Sequence, residues 1–212
     1  HDAHPQVAAI AAGGGDYWKR VHPPRVPSAG GTQPGGGMSP EEIRLRSLYL
    51  FFTCSRTVNT VKERLLTTFP SQPLTANLML DRSLTRELGI LFRYWTTRQI
   101  WDHLEDAEED AKHLNLALLR LFTDGFKLPK DGSGLRYAEL SNPSEEVQEL
   151  GHRITAALGM EHQPLLDELQ AGVLAWRDEI SRCTKEALEL PLGQISTTMK
   201  EWSALSATDM SG

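Results

Sequence analysis

The chain has 212 residues, 40% of them hydrophobic and 24% charged, which suits one folded domain of ordinary size with extensions. A formal net charge of −6 at pH 7 speaks against a general nucleic-acid binder. No apolar run approaches the roughly 18 residues a membrane span needs, and the greasiest window, residues 45–52, is broken by Arg46 and Ser47.

Residues 1–37 contain Gly13-Gly14-Gly15, Pro23-Pro24, Gly30-Gly31 and Gly35-Gly36-Gly37. Such a segment cannot bury enough apolar surface to fold alone. It is expected to be an arm laid across partner surfaces, anchored by Tyr17 and Trp18. The start at His1 rather than Met is what either a removed organelle-targeting segment or an incomplete chain leaves.

From Ser39 onward the pattern is helical. Ser39 is a capping residue, Pro40 suits the first helical position, and Glu42 stands three residues after the cap. A first helix is expected over 40–56, with Ile43, Leu45, Leu48, Phe51 and Phe52 as apolar positions. A short helical stretch, 58–69, is stopped by Pro70-Ser71-Gln72-Pro73. Leu84, Leu88, Leu91 and Phe92 predict a second helix over 82–94. Thr96 and Thr97 are candidate caps for a third, 97–123, whose stripe runs from Ile100 through Trp101, Leu104, Ala111 and Leu118 to Phe122. Gly125 is expected to close it. A loop over 124–141 leads to helices at 143–158 and 164–188, and Pro191 precedes a last short one ending near Leu205. No alternating strand pattern and no internal repeat is present, so the chain reads as all-α.

Chemistry-bearing signals are few. Cys54 and Cys183 lie far apart and form no zinc spacing, so two reduced, partly buried thiols are expected. The block from Asp102 to His113 is rich in carboxylates. A di-iron bundle needs a Glu-x-x-His on each of two helices, but here Asp110-x-x-His113 occurs once, which favours a solvated acidic face. The glycine triplets lack the strand–GxxxxGK–helix setting of a phosphate loop. No G-x-S-x-G or H-E-x-x-H occurs, and His1 and His4 are terminal residues of no expected role. No catalytic and no metal-ligating residue is assigned. By contrast Arg44, Arg46, Arg56, Lys62, Arg64, Arg82, Arg86, Arg93 and Arg98 make residues 40–100 a basic segment of an acidic chain. That suits an acidic partner, with ordinary helix solubility as the plain alternative.

The first helix carries Arg44 and Arg46 just before Leu48-Tyr49-Leu50. This basic helix with an L-Y-x triplet, followed by two more helices, resembles the LYR-motif family, and within it the accessory subunits of the matrix arm of mitochondrial complex I. The resemblance covers Glu41 to Tyr137. It continues through Thr57-Val58-Asn59-Thr60-Val61, His103-Leu104-Glu105-Asp106, Leu121-Phe122, Pro129-Lys130-Asp131 and Leu135-Arg136-Tyr137, in the family's order and spacing. The third triplet residue is normally Arg and is Leu50 here; either Arg46, four residues earlier on the same helix face, supplies the charge, or the chain has lost carrier binding and kept only its place in the assembly.

The resemblance implies a three-helix core over 38–126, followed by a loop at 127–142; the arm at 1–37 and the helical extension at 143–212 have no counterpart in the family and are expected to be extensions of this chain. It implies a non-catalytic accessory subunit on the matrix side of the mitochondrial inner membrane, among other subunits of a large complex, without a membrane span or nucleic acid. Its partner would be an acyl carrier protein gripped by Arg44, Arg46, Leu48, Tyr49, Leu50, Arg86 and Arg93. The chain would hold no cofactor of its own, but the carrier's acylated phosphopantetheine would enter a tunnel among Leu45, Phe52, Leu88, Phe92, Trp101 and Leu104. Each buried methylene would contribute about 0.8 kcal/mol. An assembly factor or accessory subunit of another mitochondrial complex is the alternative. A small helical enzyme or metal protein is a third reading, and the missing ligand pairs count against it.

Overall fold

The computed structural model describes residues 37–71, 73–130, 135–140 and 142–209. The arm expected over 1–36 and the Asp131–Gly134 part of the loop lie outside them. The fold is all-α, with seven helices among the described residues: α1 (Pro40–Leu66), α2 (Leu74–His103), α3 (Glu108–Phe126), α4 (Leu135–Ala138), α5 (Pro143–Leu158), α6 (Gln163–Glu189) and α7 (Leu192–Asp209).

α1 begins as expected. The Ser39 hydroxyl accepts the Glu42 amide at 3.1 Å, and Glu41 and Glu42 occupy the positive end of the helix dipole. It then runs on to Leu66, through the boundary expected at 56. The β-branched run at 57–61 is a poor helix former in isolation. Val58 and Val61 are buried in the core, however, and the Thr57 and Thr60 hydroxyls bond back to the carbonyls of Thr53 and Arg56, so packing overrides propensity.

The second and third helices divide differently from expectation. Thr96 and Thr97 are not caps but buried residues inside α2, and the Thr96 hydroxyl donates to the Phe92 carbonyl at 2.7 Å. α2 also extends back to Leu74, where no side chain caps it. The chain turns after His103, with the Ala107 amide on the Leu104 carbonyl at 2.9 Å. That turn splits the acidic block. Glu108, Glu109 and Asp110 form the first turn of α3, where the dipole favours them. The Asp110 carboxylate also accepts the Met38 amide at 2.9 Å and so pins the entry to α1.

Gly125 does not end α3; Lys127, in the left-handed region at φ 53°, does. At Gly125 the Phe51 ring of α1 lies where a Cβ would be. The ring also meets Phe122 edge-on at 5.5 Å and Phe126 at 5.7 Å. Gly89 plays the matching part on α2, against Phe126 and Leu128. These two close approaches let α3 pack against both α1 and α2, which also pack on each other.

α5 spans 143–158 as expected, capped by the Asn142 side chain and stopped by Gly159 at φ 69°. The segment after 143 does not stand apart from the first three helices. α6 packs on both α1 and α2, α5 on α2 and α6, and α7 on α1. One continuous core joins Leu50, Cys54 and Leu65 to Leu88 and Phe92, to Leu118 and Phe122, and to Leu150, Leu169 and Ile180. No described helix is long and apolar enough to cross a membrane. Replacing Gly125 by Ala forces a methyl group into the Phe51 ring, so thermal or urea unfolding of Gly125→Ala should show a loss of about 1–3 kcal/mol.

Candidate interaction face

The L-Y-L segment lies under the C-terminal helices. Arg46 is nearly buried: its Nη1 donates to the carbonyls of Ala187 at 3.0 Å and Leu190 at 2.8 Å, and its Nε to Glu42 at 2.9 Å. It thereby closes the C-terminal end of α6, where carbonyls lack partners of their own and the dipole favours a cation. The Tyr49 hydroxyl donates to Glu186 Oε2 at 3.2 Å, and its ring stacks on Trp202 of α7 at 5.4 Å. Burial pushes the Tyr49 phenol up. Leu50 is fully buried and Leu48 half-buried. Arg46 and Tyr49, expected on a partner-facing surface, are therefore occupied within the chain, because the helices after 143 fold back onto them, and Leu50 is buried in the core.

The other expected contact residues are spread over different helix pairs. Arg44 is exposed and forked onto Glu41 at 2.7 and 2.9 Å. Arg86 is exposed, 3.6 Å from Glu87. Arg93 is half-buried with no hydrogen-bond or carboxylate partner among the described residues, and burial pushes its guanidinium down to about 10. The expected tunnel residues differ in burial. Leu88 and Phe92 are fully buried, with Phe92 stacked on Trp95 at 5.2 Å. Leu45, Trp101 and Leu104 are half-buried at the core's edge, and Phe52 is 43% exposed, edge-on to Trp202.

A groove that the sequence did not announce lies between α1 and α6. It encloses about 330 Å3 and is lined by Thr53, Arg56, Thr57, Thr60, Val61 and Arg64 of α1 and by Trp176, Glu179, Arg182 and Cys183 of α6. None of these is an expected site residue. The available signal was the polar recurrence Thr53, Thr57, Thr60, Arg64 at helical spacing, one stripe along α1. Trp176 lies flat along its own helix because Gly172 leaves room for the indole. Arg182 is forked onto Glu179 and reaches Glu186, and the Glu179 bond raises its affinity for the proton. Arg64 pairs with Glu168 at 2.9 Å. Arg56 has no carboxylate partner among the described residues; its guanidinium sits 4.4 Å from the centre of the Trp202 ring.

Neither thiol is set up as a nucleophile. Cys54 and Cys183 are free and buried, and burial raises both. No group of three or more His, Cys, Asp or Glu suited to a metal is present among the described residues. A second polar centre joins α2 and α5. Arg153 lies 3.5 Å from Glu87 and 3.6 Å from Glu149, and the buried Tyr137 hydroxyl has no partner among the described residues. Beside it Trp95 donates to Glu146 at 2.7 Å. Burial raises the carboxyls of Glu87 and Glu146 above the ordinary range.

No protein-family model, curated protein or solved structure matches the chain.

Two variants probe these contacts. Arg46→Met removes the donors to Ala187 and Leu190 and strands two carbonyls, so urea unfolding should show a loss of about 1–3 kcal/mol. Glu146 has a folded pKa raised above its unfolded value near 4.5. Its contribution to stability is therefore full below about pH 4.5 and lost as pH rises through the folded pKa. Glu146→Gln keeps an acceptor for Trp95, so the melting temperature of the variant should fall less than that of the parent as pH is raised from about 4.5.

Proposed function

We propose that this chain is a non-catalytic accessory subunit of mitochondrial respiratory complex I, of LYR type, that docks an acyl carrier protein. What supports the reading is the arrangement of α1–α3. The segments resembling the family, Arg46–Leu50, Thr57–Val61, His103–Asp106 and Leu121–Phe122, fall in order along three helices and the turn between the last two, and these helices pack against one another. The chemistry fits as well. Burial raises both thiols, and the surface of α1 offers guanidinium groups, a set suited to a lasting contact rather than to turnover. The carrier's acidic helices would meet Arg44, Arg56 and Arg86, and its acylated phosphopantetheine would supply the only cofactor.

A second reading has its own observation. Leu50 stands where the family has Arg and is fully buried, and Arg46 is engaged by α6. On that reading the chain keeps its place in a mitochondrial assembly, in complex I or another complex, and its own C-terminal helices replace the carrier.

Affinity purification of the full chain from mitochondria separates these readings. On the first, an acyl carrier protein and NADH dehydrogenase subunits are both recovered, and Arg44→Glu with Arg86→Glu cuts carrier recovery at least about fivefold while circular dichroism is unchanged. On the second, complex subunits come without the carrier. Recovery of neither refutes both. Purified alone, the chain should show no NADH oxidation, thioesterase or acyltransferase activity above a buffer control.

A further inference from the structure

α7 is the most lightly held of the long helices. Among its described residues Ile195 alone is fully buried, and Met199 and Trp202 pack on the core only in part. It packs on α1, and no ion pair joins its described residues to another helix. Pro191, at the joint with α6, leaves a place to bend.

What α7 covers is differently built. Trp202 stacks on Tyr49, meets the edge of Phe52 at 6.5 Å and lies under Arg56. Tyr49, Phe52 and Arg56 stand at i, i+3 and i+7, one face of α1. Arg56 also lines the groove beside α6 and joins the aromatic face to it; Arg64 and Arg182 on the groove walls are already paired, with Glu168 and with Glu179 and Glu186, which leaves Arg56 as the groove cation without a carboxylate among the described residues. α7 gives Arg56 an aromatic ring and no carboxylate. A helix that offered both would satisfy that guanidinium better.

We propose that α7 is a displaceable cover, and that the face beneath it docks an acidic amphipathic helix of a partner whose large apolar side chain takes the place of Trp202. The mode is a helix laid in a groove, with α7 as the resident competitor. The identity of the partner rests on the carrier reading above; the displacement of α7 does not.

The experiment compares the full chain with Trp202→Ala and with Trp202→Ala/Arg56→Glu. The probe is an acyl carrier protein bearing its phosphopantetheine, titrated by calorimetry. Hydrogen exchange over residues 192–206 is read in the same samples. Exchange there should rise about tenfold or more in Trp202→Ala while α6 is unchanged. The carrier should bind that variant about fivefold or more tightly than the parent, since the cover no longer holds down the population of the competent state, and Arg56→Glu should remove the gain. Unchanged exchange over 192–206 overturns the cover. So does carrier binding to Trp202→Ala that is no tighter than to the parent, and carrier docking then survives on another face. Absence of binding by all three chains, with α7 released, overturns the docking face and the carrier reading together.

Discussion

The guanidinium of Arg46 ties the first helix to the end of the sixth, with acceptors 141 and 144 residues further along the chain. Much of the architecture depends on this contact. A nearly buried cation is costly unless its donors are matched, and the last carbonyls of a helix are costly unless they are met. Each group answers the other's need, which fixes where α6 stops relative to α1. The geometry of the joint at Pro191, and so the path of α7 across Tyr49, follows from it. Glu42 completes the arrangement from within α1, so the residue that helps open the helix also holds the cation that closes α6.

Around this tie two kinds of packing coexist. On the α3 side the contacts are apolar and close. Gly125 and Gly89 remove side chains so that Phe51, Phe126 and Leu128 can approach backbone, and density of contact supplies the cohesion. On the α5 side the interface with α2 is polar and less complete: Glu87, Arg153, Glu149 and Tyr137 come near one another without closing their hydrogen bonds. An imperfectly satisfied buried network lowers stability compared with an apolar interface of the same size, and the rise in the carboxyl pKa of Glu87 is the same cost seen through protonation.

α1 therefore presents three chemically distinct strips. One is the apolar stripe of Leu50, Cys54, Val58 and Leu65 in the core. Another is the threonine and arginine strip along the α6 groove. The third is the aromatic run beneath α7. Part of the basic character of residues 40–100 is met within the chain itself, on Glu41, Glu42, Asp81 and Glu168 among others. A count of charges along the chain overstates what reaches a partner, and Arg56 matters because its charge is not matched by a carboxylate among the described residues.

Local sequence was enough to show that the chain is helical, where α5 starts and stops, how α1 is capped, and part of the inward faces of α2 and α3, such as Leu84, Leu88, Leu91, Leu118 and Phe122. Those outcomes rest on local chemistry: Ser39 and Asn142 as caps, Gly159 as a left-handed stop, and apolar residues recurring at three- and four-residue steps. Only the tertiary structure decided that α1 continues through its valine and threonine run, and that Thr96 lies inside a helix rather than at its start. A hydroxyl that can cap can equally bond back one turn, and the choice depends on what the residue is buried against. It also decided the fate of the candidate site. The family resemblance puts Arg46, Tyr49 and Leu50 on a partner-facing surface. The partners of Arg46 and Tyr49, namely Glu186, Ala187, Leu190 and Trp202, lie at the far end of the chain, and no local rule specifies which distant helix folds back onto a given face.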